Sequence, residues 1–105
     1  MSGTLALDCL TAPLRALRVL ALDFGHLPAP YVEVSTVYPD RLRLSFHDDL
    51  SVFEAWREAL GVDPDTVDYG EQSAGQTRVL KVFVDFSGAV LELTGYSDRP
   101  VAAVA

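Results

Sequence analysis

A pattern of amphipathic helix, break and β-hairpin runs twice along this chain, over Thr11–His47 and again over Asp49–Tyr96, and it constrains the fold more than any other feature. A helix with one apolar stripe and a hairpin with one apolar face cannot bury themselves singly, so two such units must share a sheet and a core. The pattern predicts an α+β fold in a single two-layer domain spanning residues 1–105. The element order is αββ-αββ, or αββ-αβββ with one extra strand, and both helices lie on one face of an antiparallel sheet of four or five strands. A ferredoxin-like βαββαβ order competes, with Leu5–Leu10 as its first strand. A chain of 105 residues buries roughly 65% of its unfolded surface, enough for one core.

Local signals place the elements. Thr11 reads as an N-cap with Pro13 in the first turn, and Leu14, Leu17, Leu20 and Phe24 form the apolar stripe of the first helix. Pro28 and Pro30 make the following connector stiff. Tyr31–Val37 and Arg41–His47 read as strands, the second alternating Leu42, Leu44 and Phe46 with polar residues. A three-residue loop, Tyr38-Pro39-Asp40, sets Val34 opposite Leu44 and Val32 opposite Phe46. The second helix starts at Asp49, or at Ser51 with Glu54 in a capping box, and buries Phe53, Trp56 and Leu60. Gly61 and Val62 suit a Schellman ending. Thr66–Gln72 suits an extra edge strand, because a long structureless loop is uncommon in a small domain. Thr77–Phe86 and Ala89–Tyr96 form a hairpin across Ser87-Gly88, pairing Val84 with Leu91 and Val82 with Leu93. Residues 1–10 are an irregular lead-in or a short strand, and residues 97–105 a flexible tail.

Charge and motif content narrow the function. The net charge is −7, with 15 acidic against 8 basic residues, which argues against a nucleic-acid partner. Half the residues are hydrophobic and mean hydropathy is +0.21, so the chain folds despite its charge. Arginine supplies all the basic residues except Lys81, a composition that suits a GC-rich bacterial genome. Cys9 is the only cysteine and reads as a small buried residue; it permits no internal disulfide and no multi-cysteine metal site. No apolar stretch reaches membrane-spanning length, so a cytoplasmic protein without membrane contact is expected. The chain has no glycine-rich phosphate loop, nucleophile elbow or H-E-x-x-H motif.

Two groups of residues remain as candidate sites. His47, Asp48 and Asp49, with Glu54, place an imidazole beside carboxylates at a strand-to-helix junction, where general acid–base or metal chemistry would need them; His26 is a further imidazole in the connector. Strand ending and helix capping account for every member of this group, and that structural reading is the preferred one. The second group is the sheet face away from the helices, where Tyr31, Arg43, Phe83 and Tyr96 make the mixed aromatic and arginine surface of an interaction face. The expectation is a non-catalytic interaction module without metal or cofactor, acting through that face as a homodimer or on a partner protein. A small-molecule-binding or catalytic domain built on the His47 group is the alternative. An acidic nucleic-acid mimic or inhibitor encoded by a mobile element is a third reading.

Overall fold

The computed structural model describes residues 4–47, 49–72 and 77–98 of the chain. A 3-10 turn, Leu7–Leu10, leads into α1 (Thr11–Asp23), followed by β1 (Tyr31–Val34), β2 (Arg41–His47) and α2 (Leu50–Ala59). A second 3-10 turn, Pro64–Thr66, precedes β3 (Asp68–Gln72), β4 (Thr77–Phe86) and β5 (Ala89–Asp98). The order is αββ-αβββ, with β3 as the extra edge strand. The ferredoxin-like order does not form, because Leu7–Leu10 is a 3-10 turn continuous with α1 rather than a strand. That turn buries none of its residues, so Cys9 is exposed rather than buried. Strand β5 takes in Ser97 and Asp98 from the expected tail, and residues 99–105 lie outside the described residues.

Helix α1 begins one residue earlier than its sequence signals suggest. Leu10 is the N-cap, and the Thr11 hydroxyl donates back to the Asp8 carbonyl at 2.6 Å. Its buried side is Pro13, Ala16 and Leu20, while Leu14 is 43% exposed. Ala16, fully buried, rather than Leu14 occupies the sheet side of the helix. Helix α2 starts at the first of its two candidate positions: the Asp49 carboxylate accepts from Ser51 N at 2.9 Å. Its end is a complete Schellman motif, with Gly61 N donating to Glu58 O, Val62 N donating to Arg57 O, and Gly61 at φ +70°.

The five strands lie in the order β1-β2-β5-β4-β3, antiparallel except where β2 and β5 meet in parallel at the centre. The β4–β5 hairpin has the expected register, Val84 on Leu91 and Val82 on Leu93. The β1–β2 hairpin does not: Val32 faces Leu44 and Val34 faces Leu42, so six residues, Ser35–Asp40, separate the strands. Two physical gains favour this register over the three-residue loop. It sets Val34, rather than Thr36, against Leu42, and it sets Glu33 directly opposite Arg43.

Parallel central strands have a geometric consequence for the repeated pattern. A rotation that carried β2 onto β5 while keeping the helices on one face would place β1 on the wrong side of β5. The two helix–hairpin units therefore repeat in element order and not in space. Both helices cover the central pair, and Leu20, Leu42, Leu44, Phe53, Leu91 and Leu93 form one core almost without solvent contact.

Candidate interaction face

Along β2, β4 and β5, every second residue points away from the helices, and these side chains build a continuous outer face. Paired residues share a face, so Glu33, Arg43, Glu92 and Phe83 form one row across four strands. Tyr31, Ser45, Thr94, Lys81 and Asp68 form the next. His47, Tyr96 and Val79 follow in the third. The four residues expected to mark an interaction face, Tyr31, Arg43, Phe83 and Tyr96, thus all lie on this side of the sheet.

At its centre the face is not an open polar surface. Glu92 is only 2% exposed although no helix covers it. Arg41 Nη1 lies 3.3 Å from one of its carboxylate oxygens, and Arg43 Nε and Lys81 Nζ lie 3.2 and 3.9 Å from the other. The Thr94 hydroxyl, itself fully buried, lies 3.3 Å from that second oxygen. Burying a carboxylate is costly unless it is paired, and here three cations from β2 and β4 fold over it. Glu92, opposed by partial burial and joined by Glu33, holds the Arg43 guanidinium above its usual pKa. Arg43 Nε approaches Glu92 off the hydrogen-bond line, and neither it nor the buried Arg41 Nε has a hydrogen-bond partner among the described residues.

Aromatic rings frame this charged centre on both sides. The Arg41 guanidinium lies 4.1 Å from the Tyr38 ring centroid and 5.2 Å from that of Phe83, two cation–π contacts. Across the face, the His47 ring stacks on Tyr96 at 4.9 Å and meets Tyr31 edge-on at 5.1 Å. Tyr31 is 72% exposed and Phe83 48%, so these rings present apolar area to solvent.

The six-residue β1–β2 loop adds relief to the face. Arg41 N donates to Tyr38 O, Val37 N to Ser35 Oγ, and Val90 N to Asp40 O, which pins the loop against β5. Between the loop and the strands lies a cleft of about 220 Å³, lined by Glu33, Ser35, Val37, Tyr38, Arg41 and Arg43. Alternation places Arg41 and Glu92 on this face, but sequence reasoning missed Tyr38 as a member of the site and the burial of Glu92 within it. The direct Glu33–Arg43 pairing was the signal that would have lengthened the loop and revealed the cleft.

The described members of the His47 group, His47, Asp49 and Glu54, each have a partner outside the group. His47 is engaged with Tyr31 and Tyr96, the Asp49 carboxylate caps α2 through Ser51, and Glu54 pairs with Arg57 at one helical turn. Asp48 lies outside the described residues, and His26 is exposed in the connector. Among the described residues no group of three or more His, Cys, Asp or Glu side chains has metal-binding geometry. On the helix side, an apolar groove of about 350 Å³ runs between the end of α1, the proline connector and the sheet, with Leu17, Phe24, Leu27, Val32, Leu44 and Trp56 among its walls. The Trp56 indole N–H is satisfied by the Pro28 carbonyl at 2.8 Å.

Among the described residues no helix is long and apolar enough to cross a membrane. Comparison with protein-family models, curated proteins and solved structures finds no match for this chain.

Proposed function

We propose that this protein is a non-catalytic interaction module whose outer sheet face receives a partner protein. The observation that carries the reading is the construction of that face: exposed Tyr31, Tyr38 and Phe83 surround arginines already oriented by the buried Glu92. Interface cores are enriched in aromatic residues and arginine, and prepaid ordering of long side chains lowers the entropic cost of association. The acidic balance of the whole chain points to a protein rather than a nucleic acid. A cytoplasmic setting suits the exposed thiol of Cys9, which stays reduced there.

Photo-cross-linking in the native host tests the reading. A benzoylphenylalanine placed at Phe83 should capture a protein that the same probe at exposed Leu22 does not, and Arg43→Glu should abolish the product. Equal capture from both positions would sink the proposal. A product that is this chain itself identifies the homodimer, which sedimentation equilibrium up to high micromolar concentration must then show.

A second reading, small-molecule binding, is favoured by the apolar groove rather than by the His47 group, since about 350 Å³ is within the size range of ligand pockets. An apolar fluorophore that quenches Trp56 saturably, and loses this on Leu27→Asp, would support it. Unsaturable quenching would dismiss it.

A further inference from the structure

We infer that the cleft beside the β1–β2 loop is a carboxylate subsite, which takes an aspartate or glutamate side chain from the partner protein; this rests on the outer face being the interaction surface. The wider patch is neutral, with Arg41, Arg43 and Lys81 set against Glu92, Glu33 and Asp68, but the lining of the cleft itself, Arg41 and Arg43 against Glu33, carries one positive charge in a chain whose net charge is −7. A partner carboxylate is repelled by the chain as a whole and attracted here.

The guanidiniums are held ready for it. Glu92 fixes both from beneath, and the Tyr38 and Phe83 rings each make a cation–π contact with Arg41. Arg41 Nη1 and Arg43 Nη1 donate to Glu92 and Glu33 respectively, and no hydrogen bond among the described residues involves either Nη2. Arginine forks of this kind match carboxylates in a two-pronged geometry that lysine cannot reproduce.

The cleft also shows how a carboxylate is received. Glu33 Oε1 accepts from Arg43 Nη1 at 2.9 Å, and the Glu33 side chain is 59% exposed. An exposed ion pair of this type contributes little and exchanges readily. Glu33 therefore stands where a partner carboxylate would stand, and it is released to solvent when the partner arrives. Exposed Val37 and Tyr38 on the rim favour an acidic residue flanked by apolar ones.

The test titrates the intact protein with the peptide acetyl-Leu-Glu-Leu-amide, following backbone amides and arginine Nε–H resonances by NMR. Saturable shifts should centre on Val37, Tyr38, Arg41 and Arg43. The glutamine counterpart should bind at least about fivefold more weakly, in line with a lost charge-assisted pair. Glu33→Gln should tighten the glutamate peptide roughly two- to fivefold, the scale of one exposed ion pair. Arg43→Gln should weaken it about tenfold. Arg43→Lys keeps a cation near Glu92 and the folded spectrum, and it should still lose affinity.

Equal affinity for the glutamate and glutamine peptides overturns the subsite, as does a Glu33→Gln variant that weakens binding. Inorganic phosphate that binds at the same resonances as tightly as the peptide overturns the partner-side-chain assignment in favour of a free anion. The two readings fail separately: loss of peptide discrimination with intact cross-linking from Phe83 removes the subsite alone. Intact discrimination without specific cross-linking removes the interaction face.

Discussion

Glu92 is the residue whose environment departs furthest from its place in the sequence. Its alternation with Leu91 and Leu93 puts it on the outward face, where a glutamate would be solvated, yet it is 2% exposed. Replacing it by glutamine leaves Arg41, Arg43 and Lys81 facing one another without their shared counter-charge. Glu92→Gln should therefore lower unfolding stability by about 1–3 kcal/mol, a range discounted for the partial exposure of the cations, as urea denaturation would measure. At the other end of β2, Asp49 accepts from the Ser51 hydroxyl and backbone N–H, and these bonds lower its pKa from 3.8. The Arg57 guanidinium likewise lowers that of Glu54 from 4.5. A carboxylate with a depressed folded pKa stabilises fully above its unfolded value and ceases to do so as the pH falls through the folded one. Asp49→Ala should thus melt earlier than the wild type at neutral pH, and thermal melts should show the gap closing below about pH 4.

At the scale of elements, the seating of α2 on the sheet depends on one position without a side chain. A Cβ at Gly95 would lie 3.0 Å from Phe53 Cβ and from Leu50 Cδ2. Phe53 Cβ is fixed to the helix backbone, so α2 itself must shift to admit a methyl group. Gly95→Ala should destabilise by about 1–3 kcal/mol through overpacking, and the same denaturation experiment measures it. The β1–β2 hairpin shows what alternation leaves open. Any even shift of register keeps Val32 and Val34 on the core face, so the pattern specified the face and not the loop length. Cross-strand chemistry broke the tie, through Val34 on Leu42 and Glu33 on Arg43. In β4–β5, where Ser87 and Gly88 both take positive φ in a tight turn, the turn chemistry itself set the register.

For the whole molecule, one core shared by both helix–hairpin units makes unfolding a single event. Trp56 fluorescence and far-ultraviolet circular dichroism should report the same denaturation midpoint, and separated transitions would show that the halves are independent. Amide exchange should be slowest along β5, which is paired on both sides, and fastest along the four-residue edge strand β1. The sequence by itself determined the succession of two helix–hairpin units, the C-terminal end of α2, the register of the second hairpin and the side of the sheet on which Tyr31, Arg43, Phe83 and Tyr96 lie, because those follow from local capping, turn chemistry and period-two alternation. It could not determine that β2 and β5 meet in parallel, that α1 buries Ala16 rather than Leu14, or that His47, Asp49 and Glu54 each find partners outside their group. Those outcomes, and the burial of Glu92 beneath side chains from two other strands, depend on which elements become neighbours, and only packing around a common core decides that.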